Sequence, residues 1–380
     1  MYRVASYGGM IADKVRMEPY VAALRRYVTP DSVVLDIGAG TGIFALLAAQ
    51  FGARKVYAIE PNEAIQVARQ LAADNGLADR IEFIEELSTR ISLPEKADVI
   101  ISDMRGTLPL FEQHLVSIKD ARARLLAPNG VLIPQRDTLW ATLVSAPELY
   151  DSYVAPWQQH NHGFNTQAAL RVVLNTWGAG RVKPEQVLAP PQFWTEIDYR
   201  QVSALNARGE MSWTLERHAT AHGMLVWFDT VLADEIGFSN APGGGADVYG
   251  SAFFPFQTPL ELSPADRVTV QLRADLVGED YTWSWQTAAQ EATGAAKAQF
   301  KQSSFYGVPF SPKQLRKRAE QYLPRLNETG KLDFYVLGLM SEEFAQGEIA
   351  QQLVERYPQR FADWKAALTY VALLSEKYSE

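Results

Sequence analysis

Asp103 and Glu112 stand nine positions apart on one polar stretch, and two carboxylates at such spacing suit a cationic partner. On spacing alone a solvated turn would look the same. A second set of residues lies upstream in DIGAGTG, where Asp36 is followed by Gly38, Gly40 and Gly42 at the point where an apolar run gives way to helix-like sequence. Glycines there allow a tight turn and let a ligand approach the backbone, although a packing turn in any α/β protein would use them too. Glu60 follows Gly42 by eighteen residues at the end of the next apolar run, where a carboxylate can accept hydrogen bonds from both hydroxyls of a ribose. Together these residues describe a nucleoside-type ligand beside an acidic loop.

The elements that must position them follow from periodicity. Residues 10–28 place Val15, Tyr20, Val21, Leu24 and Tyr27 at helical spacing, and Pro30 stops the pattern. VVLDIG is too short and too β-branched for a helix and reads as a strand buried on both faces. GIFALLAAQFG reads as a helix, KVYAIEP as a strand and residues 63–75 as a helix, while IEFIEE, ADVIISD and GVLIP read as further strands. Strand and helix therefore alternate over 31–134, the pattern of an open parallel sheet covered on both faces. After Pro134 the runs TLWATLVSA, FWTEIDY, MSWTLER, GMLVWFDTVLA and RVTVQLRADL are short and separated by turn residues, which predicts an antiparallel β unit over 135–300. Residues 151–187 interrupt it with irregular aromatic sequence, whose Tyr153, Trp157 and Phe164 suit an oligomer contact. Pro242 to Gly245 is a flexible turn, and from residue 311 to the end the pattern is helical with a break at Asn327 to Gly330.

Composition excludes several function classes. At 380 residues the chain is long enough for two or three units with real cores. A formal charge of -8 argues against a nucleic-acid backbone as partner, since phosphate binding needs a concentrated basic surface. The absence of cysteine removes disulfides, thiolate metal sites and a cysteine nucleophile, and no metal site is expected. With no secretory leader pattern and no apolar run of bilayer length, the expectation is a cytoplasmic protein with no membrane partner.

A dinucleotide site would want glycine at position 43, where the chain has Ile43. The GxGxG spacing with an acid on the second strand instead resembles the class I S-adenosylmethionine-dependent methyltransferases. SYGGMIADKVRMEPY, DIGAGTGIFALLAA, GARKVYAIE, VIISDMRG, FEQHL, LAPNGVLIP and GMLVWFDTVLADEIGFS, in this order, narrow the resemblance to the protein arginine methyltransferases over about residues 6–260. The resemblance implies α/β plus β architecture. A helical cap over the donor (1–30) precedes a Rossmann-like domain (31–134), followed by a β-barrel domain (135–300) in which 151–187 forms a dimerisation arm. It also implies S-adenosyl-L-methionine as cofactor, S-adenosyl-L-homocysteine as product, and a homodimer. By position, Arg16 would bind the donor carboxylate with its guanidinium fork, Tyr7 and Met10 would close over the donor, Glu60 would hold the ribose, and Ser88 and Thr89 would flank the adenine. Asp103 and Glu112 would grip a guanidinium, which is always protonated and a poor nucleophile until carboxylates draw its charge away from the reacting nitrogen.

The chain departs from the family at identifiable places. Asp103 replaces a glutamate, Met104 and Arg105 replace Trp and Met, and Thr89 replaces an acid. Tyr249, Gly250 and Ser251 stand where the family has Thr-His-Trp, and His114 offers a different polar group near the acids. Arg105 could neutralise the acceptor acids. The expected activity is methyl transfer to an arginine nitrogen of a peptide or protein. Free arginine or another small guanidine or amine is the second reading, and a non-catalytic donor- or peptide-binding protein with a closed Asp103–Arg105 pair is the third. Residues 311–380 resemble a small helical, winged-helix-like, peptide-binding module, and a plain helical appendage fits them equally.

Overall fold

The computed structural model describes residues 4–246 and 248–379, so residues 1–3 of the expected cap and Glu380 of the expected C-terminal module lie outside the described residues. The chain forms two compact units, Met1–Pro309 and Phe310–Glu380.

The first unit opens with α1 (Val4–Ala12) and α2 (Lys14–Tyr27). Asp13 separates them and caps α2 by accepting the amide of Arg16 at 3.2 Å. Next come β1 (Val33–Ile37), α3 (Ile43–Gln50), β2 (Lys55–Ile59), α4 (Ala64–Asp74), β3 (Ile81–Ile84), β4 (Ala97–Ser102), α5 (His114–Arg124) and β5 (Leu126–Ile133). The five strands are parallel in the order β3-β2-β1-β4-β5. Every residue of β1 is buried, which is why VVLDI carries an unbroken apolar run around Asp36. Since β1 has β2 on one side and β4 on the other, the crevice beyond the carboxyl ends of β1 and β4 is the topological switch point where such sheets bind ligands.

The remainder of this unit is antiparallel. It contains β6 (Arg136–Val144), α6 (Pro147–Gln158), α7 (Gln167–Val173), β7 (Gly178–Gly180), β8 (Gln192–Asp198), β9 (Ala207–Thr214), β10 (Ala219–Ala233), β11 (Ile236–Ser239), β12 (Ser251–Leu262), β13 (Arg267–Val277), β14 (Asp280–Gln290) and β15 (Ala296–Ser303). One sheet runs β7-β12-β10-β6-β8 with β11 on β10, and the other runs β15-β14-β13-β9. With β8 packed against β9 and β12 against β15, the two sheets make a barrel-like body filled by Phe254, Trp283 and Trp285. The stretch expected to be an irregular arm instead contains α6, α7 and β7. Phe164 (75% exposed) and Trp157 (40%) stand out from it as expected, but Tyr153 packs its ring against Phe253.

In the second unit α8 (Pro312–Lys317) precedes α9 (Glu328–Ser341), α10 (Gln346–Arg356) and α11 (Trp364–Tyr378), which share a core of Leu332, Val336, Ile349, Leu353, Ala367 and Val371. The expected break at Asn327 to Gly330 is a helix start: Asn327 caps α9 by accepting the amide of Gly330 at 2.7 Å. Its described residues hold no strand, so the module is helical without the wing of a winged helix.

Candidate active site

The turn after β1 is built to be approached closely. Gly40 has φ of 54°, and a Cβ there would lie 2.3 Å from the Tyr7 ring of α1. Gly42 has φ of 80° at the start of α3, where a Cβ would meet Ala68 of α4 at 2.7 Å. Any other residue at either place would push α1 or α4 off the turn. Met104 lies on Gly38 in the same way, so a side chain from each end of the site already rests on the glycines. Met10 is half buried and gives its carbonyl to Arg16 Nη1 at 3.0 Å.

Glu60, at the end of β2, is buried and almost fully engaged. Its Oε2 accepts the amide of Gly40 at 2.9 Å, and its Oε1 accepts the amide and side-chain nitrogen of Asn62 at 3.0 and 2.6 Å. A carboxylate has about four acceptor positions, so one remains on Oε2 for a ribose hydroxyl. Ser88 is buried with its carbonyl held by Arg124, whereas Thr89 is exposed. Two buried polar atoms at the strand ends, Asp36 Oδ1 and Ser102 Oγ, have no partner within the described residues. Strand register sets Ser102 opposite Ile37, next to Asp36, at the switch point. Unsatisfied buried polar groups are costly, and together with the glycine cradle and Glu60 they fit a nucleoside ligand with hydroxyl and amine donors.

Asp36 is also electrostatically unusual. Its Oδ2 accepts the amide of Ala45 at 3.0 Å, yet burial, with Glu60 nearby, pushes its carboxyl up to about 7. The folded protein therefore holds this proton more tightly than the unfolded chain, where aspartate titrates near pH 4 (about 3.9). The stabilising contribution of Asp36 is complete below about pH 4 and lost as pH rises through about 7. Asp36→Asn keeps an acceptor for Ala45 and removes the titration. Thermal melts are expected to show the variant gaining on the native protein as pH rises across that window; parallel pH courses would contradict it.

Asp103, just past β4, has a crowded side chain with 6% of its surface exposed. Its Oδ2 accepts Arg16 Nε at 2.7 Å and Tyr249 Oη at 2.5 Å, with Arg16 Nη2 in an ion pair 2.7 Å away, and its Oδ1 accepts Arg105 Nε at 3.1 Å. Burial alone would raise this carboxyl, but Arg16 and Arg105, helped by Tyr249, hold it down at about 2. Arg16 itself reaches Tyr249 Oη at 3.1 Å and Met17 Sδ at 3.0 Å, with its guanidinium carbon 5.2 Å from the Phe44 ring centre. The expectation that Arg105 faces the acids is met by one N–H only. Its Nη1 donates to Asp137 Oδ1 at 2.8 Å and Thr230 Oγ1 at 2.9 Å, and its Nη2 to Tyr20 Oη at 2.6 Å. Asp137 Oδ2 in turn accepts Tyr199 Oη at 2.5 Å.

Glu112 is placed differently from its proposed companion. It is exposed, its φ of 40° is left-handed, and its carboxylate carries no hydrogen bond or ion pair within the described residues. The barrel holds the loop beneath it, where Asp280 Oδ1 accepts the Glu112 amide at 3.3 Å and the Gly278 carbonyl accepts Gln113 Nε2 at 3.0 Å. No bond joins Asp103 to Glu112. His114 is a packing residue: its Nδ1 donates to the Pro109 carbonyl at 2.9 Å, Nε2 is buried without a partner among the described residues, and burial pushes the ring's pKa down. That removes it as a substitute for the absent barrel histidine.

Sequence reasoning missed the part of Tyr249, whose hydroxyl stands on Asp103, and the whole of Asp137, Tyr20, Tyr199 and Thr230. One signal was available, because the alternation of β6 sets Asp137 on the buried face with Leu139, Ala141 and Leu143. An acid on that face needs a buried partner.

Residues 20–134 match the family described as ribosomal protein L11 methyltransferase, and residues 135–285 match the arginine methyltransferase oligomerization subdomain. The chain is 34% identical over 230 residues to protein arginine N-methyltransferase 2 of Homo sapiens, covering 58% of this chain and 53% of that one. It is 30% identical over 297 residues to protein arginine N-methyltransferase PRMT10 of Oryza sativa subsp. japonica, covering 69% and 78%. The chain thus spans about half the length of the human relative and more of the rice one. Among solved structures, Arabidopsis thaliana protein arginine methyltransferase 10 superimposes with a TM-score of 0.70 at 26% identity, over 79% of this chain and 97% of that chain. From the ordered motifs, the parallel sheet with its barrel-like partner and these matches, the chain belongs to the protein arginine N-methyltransferase family.

Proposed function

We propose that the protein is an S-adenosyl-L-methionine-dependent N-methyltransferase acting on an arginine nitrogen of a peptide or protein. The observation that carries this is the meeting, at the switch point of the parallel sheet, of the glycine turn and Glu60 with Arg16 and Asp103, with Glu112 exposed on the loop that follows. The donor, when bound, supplies a sulfonium methyl. Glu60 would take a ribose hydroxyl on its free acceptor position, Arg16 would meet the donor carboxylate, and Tyr7 and Met10 would keep water from the crevice. Glu112 would hold the acceptor guanidinium, drawing positive charge toward the nitrogens it contacts and leaving another with more lone-pair character. The nitrogen that gains a methyl must then release a proton, for which an exposed carboxylate offers a route to water.

Incubation with labelled donor and two acceptors, an arginine-containing peptide and free arginine, tests the reading. Label on the peptide supports it, and label on free arginine alone moves the substrate to the small guanidine. A second reading, donor binding without turnover, is favoured by the two arginines and the tyrosine that surround the Asp103 carboxylate. Tight donor binding with no label on any acceptor would establish it.

We also infer a homodimer formed through residues 151–187. Two large apolar side chains of this segment, Phe164 at 75% and Trp157 at 40%, are exposed, and the segment lies within the match to the arginine methyltransferase oligomerization subdomain. Phe164→Asp is expected to yield a monomer in light scattering with its melting temperature little changed; a persisting dimer would contradict the role of this segment.

A further inference from the structure

The buried charges around Asp103 form a closed set. Arg16 and Arg105 bring two positive charges and Asp103 and Asp137 two negative, so the group is electroneutral without any ligand. Arg105 and Asp137 have no exposed side-chain surface, and the Arg105 guanidinium carbon lies 4.9 Å from the Phe228 ring centre, 5.5 Å from Phe238 and 5.8 Å from Tyr249. These rings fix its plane while its N–H groups reach a strand residue from each of β6 and β10, a helix tyrosine and Asp103. A guanidinium approaching Asp103 would become the third around one carboxylate, whose Oδ2 already meets Arg16 Nε, Arg16 Nη2 and Tyr249 Oη and whose Oδ1 accepts Arg105 Nε. Glu112 stands outside this set and is uncompensated.

We propose that Arg105 and Asp137 are a buried specificity pair that withdraws Asp103 from the acceptor, so that Asp103 serves to position Arg16 and the acceptor guanidinium is held by Glu112 alone. The proposal rests on the methyltransferase reading above and adds to it which acid meets the acceptor. Its consequence is weak capture of a cationic acceptor by the native protein, because one of two available carboxylates is already spoken for.

The double variant Arg105→Met/Asp137→Ala tests this, since it removes a positive and a negative charge together, and replacing a buried pair by apolar side chains is often neutral for folding. It leaves Asp103 with Arg16 and Tyr249 and opens Oδ1. The KM for an arginine-containing peptide is expected to fall about tenfold, the worth of one charge-assisted hydrogen bond, with donor Kd within about twofold of native. An unchanged or raised peptide KM in a folded double variant with native donor Kd overturns the proposal. Should that variant fail to fold, Arg105→Lys keeps a positive charge for Asp137 but has no Nε to hold Asp103 Oδ1. A peptide KM lowered about two- to threefold supports withdrawal, and one unchanged or raised overturns it. Methyl transfer to arginine by neither the native nor the variant protein would overturn the arginine reading itself, whereas transfer by both at equal peptide KM would overturn only the role of the pair.

Discussion

Glu112→Gln is expected to lower kcat/KM for an arginine-containing peptide by about 10²- to 10³-fold, the scale on which losing one well-placed charged partner of a transition state is felt. Glutamine keeps the length and one acceptor oxygen but cannot draw the guanidinium charge. Donor affinity should stay within about twofold, because the Glu112 carboxylate makes no bond to the glycine turn, Glu60 or Arg16. The melting temperature should move little as well, since an exposed side chain without partners carries little folding energy. Isothermal titration with the donor and initial rates with the peptide separate these effects. A parallel loss of donor affinity would contradict the assignment of Glu112 to the acceptor.

The second large effect concerns stability. Arg105→Met alone leaves Asp137 buried with Tyr199 as its remaining partner, and breaking a buried pair in this way costs about 3–5 kcal/mol. In a unit of this size that is a fall in melting temperature of roughly 5–8 °C. Adding Asp137→Ala should recover most of it, since the cost is that of an uncompensated charge rather than of lost packing. A thermal double-mutant cycle measures the coupling directly. If the two substitutions simply add, Arg105 and Asp137 do not act as a pair and the electroneutral description of the site is wrong.

Much of the donor side was legible because it is local. A glycine turn, the strand before it and the acid ending the next strand lie within one stretch, and their backbone requirements leave a residue pattern. The acceptor side is made by distant segments meeting, and spacing does not encode that. Asp103 and Glu112 share a loop, yet the side chain of one is closed over by two arginines and the other is exposed on left-handed backbone. Arg105 reads in sequence as a neutraliser of its neighbour, whereas most of its donors go to residues 20, 137 and 230. The barrel was legible where strands alternate, as in β6 and β13, and illegible in β12. That strand carries Pro255 and Pro259, and the β10–β12 pairing shifts register between Ala221 and Gly223, opposite Leu260 and Pro255, and so accommodates the missing N–H groups.

The measurement that reaches the central claim most directly is tandem mass spectrometry of an arginine-containing peptide after incubation with the native protein and S-adenosyl-L-methionine. The account predicts added methyl mass localised to an arginine guanidino nitrogen, absent from a matched peptide in which lysine replaces arginine. Methyl found only on lysine, or an unmodified peptide while the donor is shown to be bound, would contradict it.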